Sequence, residues 1–246
     1  MIYPADKSAE TTMLFDFHTH ILPGIDDGSQ STAQSVQMLE IMKEQKIGFI
    51  AATPHYYASV HSPEEFFIGR DAAWERLKKE PICKYFDIRL GAEVQYYEGI
   101  SRLEHPERFC LEGTNIFLLE MPFMPWSDRI LADVSMLCEN RSIRILIAHI
   151  ERYIPVQSRQ EIHALMNMDV LLQCNAEFFL SFRTRRKALR MMKDGQIAAI
   201  GSDCHNKKMR APNVGLAMEK IEKHLGASEL EDFLQSERKL IYGEGD

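Results

Sequence analysis

Seven short, β-branched apolar runs alternate with longer amphipathic stretches along this chain, and that alternation narrows the folds open to it. The runs are Met13–Phe17, Gly48–Thr53, Ile88–Val94, Ile116–Met121, Ile143–Ile150, Val170–Asn175 and Ile197–Ser202. Their spacing predicts helices over about 31–46, 64–79, 127–140, 158–168 and 182–194, with two more near 213–224 and 228–236. Ser29 or Ser31 is placed to cap the first helix, Ser62 and Pro63 to start the second, and Gly195 to end the fifth. Repeated βα alternation predicts a parallel sheet with helices outside it. Seven units in 246 residues fit a closed or nearly closed α/β barrel, a size such barrels often reach as one domain. No glycine pattern of a dinucleotide or P-loop site is present. The polar stretch from Met1 to Thr12 lacks the apolar core of a signal peptide and reads as a flexible extension ahead of a single domain spanning 13–246.

Composition excludes several classes. The net charge of −7 argues against a dedicated nucleic-acid binder, although a local basic patch can still hold phosphate. Five cysteines (Cys83, Cys110, Cys138, Cys174 and Cys204) are odd in number, widely spaced and without a CxxC pair. They read as reduced thiols of a cytoplasmic protein. No apolar run approaches the length that spans a bilayer.

Active sites of α/β barrels lie at the C-terminal ends of the strands, and every run here ends in polar chemistry. The first leads into His18 and His20, which share one face of a strand because side chains alternate with a period of two. An acidic turn, Gly24-Ile25-Asp26-Asp27-Gly28, follows. The others end in Thr53-Pro54-His55, Gly91-Ala92-Glu93, Leu119-Glu120-Met121-Pro122, Ala148-His149-Ile150-Glu151-Arg152, Gln173-Cys174-Asn175 and Gly201-Ser202-Asp203-Cys204-His205. Any one of these side chains alone reads as a satisfied core polar group. Together they predict a shared ionic site. Glu120, behind Phe117-Leu118-Leu119, would be costly to bury without a cationic partner. Imidazole and carboxylate ligands suit Mn²⁺, Fe²⁺ or Zn²⁺. The candidates His18, His20, Asp27, His55, Glu93, Glu120, His149, Asp203 and His205 exceed the four of one tetrahedral ion, which implies at least two ions and leaves room for three. Arg152 and Arg210 could complete a phosphate site with their forked guanidinium groups. Tyr56, Tyr57, Phe123 and Trp126 lie near strand ends, where each could pack in the core or at the rim. The basic segment from Phe178 to Arg186 has no evident role beyond flanking the mouth or starting a helix. His61, His105, His163 and His224 read as surface residues.

The ordered motifs DFHTHILPGIDDGS, ATPHYY, GAEVQYY, LLEMP, IAHIERY and GSDCHNKKMRAPN resemble the PHP (polymerase and histidinol phosphatase) superfamily. Within it they are most similar to the CpsB/CapC family of bacterial capsule-type protein-tyrosine phosphatases. The resemblance implies a distorted (β/α)7 TIM-like barrel around three ions, usually manganese. One ion would be held by His18, His20, Glu93 and Asp203. A second would share Glu93 and add Glu120 and His149. A third would take Asp27, His55 and His205, with Asp27 preferred over Asp26. Arg152 and Arg210 match the family's phosphate-binding arginines. The implied reaction is attack of a metal-bridging hydroxide on phosphotyrosine. The implied substrate is a bacterial tyrosine kinase of capsule or exopolysaccharide synthesis.

Three other readings compete. A cysteine phosphatase would use Cys-x5-Arg, a spacing found at Cys83, Cys138 and Cys204, in each case without a glycine to cradle phosphate. A PHP phosphatase of small molecules, of histidinol phosphate or nucleotide type, would share the barrel and differ at the mouth. A non-catalytic metal-bound regulatory module would retain the metal and lack turnover.

Overall fold

Strands buried on both faces by covering helices need apolar side chains at nearly every position, and the runs above meet that need. The computed structural model describes residues 13–243, so the extension 1–12 lies outside the described residues. The strands are β1 (Leu14–Thr19), β2 (Ile47–Ala52), β3 (His55–Tyr56), β4 (Asp87–Leu90), β5 (Glu93–Gln95), β6 (Ile116–Glu120), β7 (Arg144–Ile147), β8 (Val170–Asn175) and β9 (Ala199–Gly201). The helices are α1 (Thr32–Glu44), α2 (Pro63–Leu77), α3 (Asp128–Cys138), α4 (Ile150–Tyr153), α5 (Arg159–Met166), α6 (Glu177–Leu180), α7 (Arg185–Lys193), α8 (Val214–Leu225) and α9 (Ala227–Tyr242). All strand pairs are parallel, in the orders β1-β2-β4 and β3-β5-β6-β7-β8-β9. The fold is therefore mixed α/β, built on parallel sheets.

Three predicted strands depart from their expected bounds, for visible reasons. The second stops at Ala52 and resumes at His55, because Pro54 has no backbone N–H to donate. The third splits around Gly91-Ala92. Across both breaks the chains stay side by side, with Gly91 N–H donating to Ala52 O at 2.9 Å and Glu93 N–H to Pro54 O at 3.0 Å. The fifth ends at Ile147 instead of Ile150, since His149 turns to φ 32° and Ile150 opens α4. The short helices α4 and α6 and the 3-10 turns at 81–85, 100–102 and 106–109 were not anticipated.

Helix starts follow local side-chain chemistry. Ser31, not Ser29, caps α1 by accepting from Gln34 N–H, while Ser29 turns inward to Ser35 at 2.8 Å. Ser62 and Glu65 form a reciprocal capping box with Pro63 at the first helical position, satisfying otherwise orphaned N–H groups. Gly195, after α7, takes φ +67°, which favours glycine. Phe15, Phe17 and Phe49 meet between β1 and β2 at ring separations of 5.6–6.2 Å.

The last strand joins the first. Thr19 and Cys204 form a parallel bridge, Asp203 N–H donates to His18 O at 2.7 Å, and His20 N–H donates to Cys204 O at 3.0 Å. Two buried carboxyl groups pin this seam. Asp16 Oδ1 accepts Ser202 N–H at 2.8 Å, and Glu237 Oε1, reaching in from α9, accepts Ile200 N–H at 2.9 Å. Burial raises the Asp16 carboxyl to about 7 and pushes Glu237 well above its ordinary range. The seam is tight enough to require glycine. A Cβ on Gly201 would stand 2.5 Å from His18 Cβ and 2.9 Å from His18 N. Gly201→Ala is expected to destabilise the fold by about 1–3 kcal/mol, the usual cost of overpacking, read as a lower urea midpoint. An unchanged midpoint would show that β1 and β9 separate freely.

Candidate metal centre

The period of two along β1 brings the His18 and His20 rings to 5.2 Å between centroids, both fully buried. Their outer nitrogens have fixed partners. His18 Nδ1 faces Gln173 Oε1 at 3.4 Å and His20 Nδ1 faces Asp26 Oδ2 at 2.7 Å. These acceptors hold the ring protons on Nδ1 and leave the Nε2 lone pairs inward. The two Nε2 atoms are 3.1 Å apart, a repulsive approach unless a proton or a metal cation lies between them.

Glu93, from β5, is the hub. Its Oε2 lies 3.0 Å from His18 Nε2, 3.3 Å from His20 Nε2 and 3.0 Å from His55 Nδ1, and its Oε1 lies 2.9 Å from His149 Nε2. Yet Glu93 Oε2, His55 Nδ1 and His205 Nε2 are buried without an aligned hydrogen bond. Close approach without alignment is what ligands aimed at shared points produce. Asp27 Oδ1 sits 3.3 Å from His205 Nε2 and 3.6 Å from His55 Nε2, and Glu120 Oε1 sits 3.5 Å from His149 Nε2. Three groups have ligand atoms all within 4.8 Å of one another: His20, Asp27, His55 and His205; His18, His20 and Asp203; and His55, Glu93 and Glu120. All nine sequence candidates thus share one neighbourhood, whose donor chemistry fits divalent Mn, Fe or Zn. The third group differs from expectation in taking His55 where His149 was anticipated.

Asp203 organises the rim. Arg152 Nη2 donates to its Oδ2 and Arg210 Nη2 to its Oδ1, and Asn175 Nδ2 adds a 2.9 Å bond. Each arginine side chain remains about a third exposed (35% and 37%), so both guanidinium groups border the open face. His149 and Asp203 have positive φ, 32° and 53°. They are two of four such non-glycine residues among those described, and strain of this kind concentrates at functional sites.

Charge balance explains the titration of the cluster. Burial opposes the charge of His149, but Glu120 and Glu93 outweigh it and raise the pKa to about 9. Burial likewise opposes His20, whose pKa is held well above 6.5 by Asp203, Asp26 and Glu93. His205 goes the other way, to about 4, through burial and then the neighbouring His20 and Arg210. Burial alone would raise Glu93 and Asp203, yet the surrounding imidazoles hold both well below the carboxylate range.

Sequence reasoning missed the residues that aim the ligands. Asp26 fixes His20 and also accepts N–H bonds from Gly28 at 2.9 Å and His55 at 3.0 Å. Gln173 accepts His149 N–H at 2.7 Å besides meeting His18. The aromatic candidates divide. Tyr57 stacks on His55 and Phe123 on His149, at 5.0 and 5.7 Å, and Phe123 is half exposed. Tyr56 and Trp126 are buried in the core instead, so neither borders the mouth. Cys204 is fully buried, and burial followed by the Asp16 carboxylate pushes its thiol well above the usual range. A cysteine nucleophile needs an accessible thiolate, which this residue does not supply. Within 178–186, Phe178 and Phe179 are buried and Arg185 bonds to Phe179 O and Leu180 O, so this stretch is more than a solvated helix start.

A family model for capsular polysaccharide synthesis, CpsB/CapC, matches residues 14–241. The tyrosine-protein phosphatase YwqE of Bacillus subtilis is 28% identical over 238 residues, covering 93% of this chain and 91% of the relative. The tyrosine-protein phosphatase CpsB of Streptococcus pneumoniae is 26% identical over 243 residues, covering 93% and 98%. A solved structure from the metal-dependent tyrosine phosphatases YwqE of B. subtilis and CpsB of S. pneumoniae shares the fold. Its TM-score is 0.78 at 24% identity, over 94% of this chain and 96% of that one.

With the His149 pKa raised to about 9, against its burial, by Glu120 and Glu93, its proton is present at neutral pH and would have to leave if this imidazole ligates a metal. Divalent-metal affinity is therefore expected to rise between pH 6 and 8, by about tenfold per pH unit for each proton displaced. Titration calorimetry in buffers of different ionisation enthalpy checks this; a buffer-independent enthalpy would contradict it. Asp26→Asn should weaken metal binding roughly 10- to 100-fold, as loss of a ligand-orienting carboxylate does. Competition against a fluorescent chelator measures that loss, and wild-type affinity would rule out the orienting role.

Proposed function

Because this chain belongs to the CpsB/CapC family of capsular polysaccharide synthesis, we propose that it is a metal-dependent protein-tyrosine phosphatase acting on phosphotyrosine in a protein. The observation that carries the reading is the convergence of nine imidazole and carboxylate side chains, eight in three metal-compatible groups and His149 beside Glu93, with two arginines at the open edge of the cluster. We assign His18, His20, Glu93 and Asp203 to one ion, Glu93, Glu120 and His149 to a second, and Asp27, His55 and His205 to a third. The His18–His20–Asp203 group and the Asp27–His55–His205 contacts support the first and third sets. Support for the second comes from His149 Nε2, 2.9 Å from Glu93 and 3.5 Å from Glu120. Manganese is our preferred ion, with iron and zinc compatible with the same donors. We read the backbone as a distorted (β/α)7 barrel in one domain, supported by the two strand breaks and the β9–β1 seam.

When bound, divalent ions activate water and clamp the oxygens of an in-line displacement. The protein's residues do the rest. Arg152 and Arg210 receive the phosphate oxygens and neutralise charge that develops on them. Tyr57 and Phe123 flank the phenolic ring. A phenol of pKa near 10 leaves without a strong general acid, which agrees with a rim of arginines and aromatic rings. The proposed substrate is a bacterial tyrosine kinase of capsule or exopolysaccharide synthesis, met in the cytoplasm. No helix among the described residues is long and apolar enough to cross a membrane.

Hydrolysis of a phosphotyrosine peptide should require added Mn²⁺ and fall to background after chelation. His18→Ala, Glu93→Ala and Asp203→Ala should each lower kcat/KM by roughly 10²-fold or more, the scale expected when electrostatic support for the transition state is lost. Arg152→Ala should raise KM through weaker phosphate binding and also lower kcat through lost stabilisation of developing charge. Cys204→Ser should keep near-wild-type turnover. Activity unchanged by thorough metal stripping would end this reading, and a preference for small alkyl phosphates in a side-by-side assay would move it to another substrate class.

A further inference from the structure

The most exposed large apolar side chains among the described residues are Met209 and Phe182, at 91% and 89%. They stand on the loops that follow β9 and β8. These strands are parallel neighbours, with Asn175 paired to Gly201, so both loops leave the same end, the one that carries Asp203 and His205. The backbone that carries each side chain is held in place. Asn206 Oδ1 accepts the N–H groups of Lys208 at 2.9 Å and Met209 at 2.7 Å. Thr184 Oγ1 donates to Phe178 O at 2.8 Å, and the Arg185 guanidinium grips Phe179 O and Leu180 O at 2.9 and 2.7 Å. Phe178 and Phe179 are buried, and Phe182 is turned outward from the same segment.

Around these two tips the charge is positive, in a chain whose net charge is −7. Arg183, Arg186, Lys187, Lys207 and Lys208 are all exposed, and none has an ion pair with a described residue. Only Glu177 offers an exposed negative charge within the two loops. Screening limits electrostatic reach to about 8–10 Å at ordinary salt, so a local patch acts independently of the distant net charge.

We infer that Phe182 and Met209, with the basic residues beside them, form a docking surface for an anionic lipid bilayer. The guanidinium and ammonium groups beside the tips complement the phosphate and carboxylate headgroups of anionic lipids. A protruding apolar tip suits a deformable apolar medium that closes around it. Apolar tips and a basic cluster are also the two signals that together give reversible membrane attachment. Docked this way, the protein turns the open face of the metal cluster toward the membrane and favours phosphotyrosines held close to it.

The test is sedimentation of the full chain with vesicles of phosphatidylcholine, with and without phosphatidylserine. Binding is expected only with the anionic lipid and should decline with added salt. Phe182→Ser with Met209→Ser should cut partitioning roughly tenfold or more. Arg183→Ala, Arg186→Ala, Lys207→Ala and Lys208→Ala should cost about fivefold each. Melting temperature and hydrolysis of p-nitrophenyl phosphate in solution should stay at wild-type values in the serine variant. Equal sedimentation on both vesicle types, or wild-type partitioning of that variant, would overturn the inference. So would binding to a soluble acidic peptide, lost in the serine variant, without sedimentation on either vesicle type, which would identify a protein partner for the same surface.

Discussion

A fully buried carboxylate surrounded by imidazoles governs this molecule. Glu93 has no solvent exposure, and four histidines stand within 3.3 Å of its two oxygens. Isolated, such a charge would cost far more than a fold of this size could offset. The strand ends around it bring imidazoles to both of its oxygens, and the compensating positive charge is carried by protons on His20 and His149 or would be carried by bound cations. The raised His149 and His20 and the depressed Glu93 and Asp203 express one balance seen from its two sides. Metal ions replace those protons without changing the sign of the compensation. This makes the cluster a structural element as well as a site.

That demand reaches into the backbone. His149 and Asp203 accept left-handed conformations that cost on the order of 1–3 kcal/mol each, because a regular strand would carry their side chains past the cluster. Gly28 and Gly201 give way for the same reason: a Cβ on either would stand within 2.5 Å of a His20 or His18 Cβ. The seam between β9 and β1 then leaves Ile200 and Ser202 dependent on the buried carboxyl groups of Glu237 and Asp16. Stability near the site is conceded at the strand ends and recovered one layer below them.

Much of this was legible in the sequence, because parallel strands announce themselves as apolar runs and a charged residue at the end of such a run has few places to go. The bounds of β8 were read as they stand, and His18 and His20 were paired from strand periodicity alone. What stayed hidden depends on partners distant in sequence or on local geometry. Glu237 looks like any helical glutamate until α9 is seen to deliver it to Ile200. Asp26 and Asp27 are alike by type; the family motif favoured Asp27 as a ligand, and the fold adds that Asp26 is a buried orienter of His20 while Asp27 is an exposed neighbour of His205. Trp126 and Tyr56 sit beside strand ends in sequence yet face the core, because position along the chain says nothing of which way a loop turns.

The distribution of charge around the cluster gives it a direction. Carboxylates fill the floor, and the arginines stand at the open edge with both guanidinium groups drawn to Asp203. An incoming dianion competes for these arginines with one carboxylate whose negative charge a bound metal would already neutralise. On the proposed assignment, cation and phosphate binding would support each other. A metal held by Asp203 would weaken its hold on Arg152 and Arg210, which would then be free for phosphate oxygens. Without it, the same two arginines are spent on the protein's own carboxylate. A thiol nucleophile has no place in such an arrangement, since burial, and then the Asp16 carboxylate, keep Cys204 protonated.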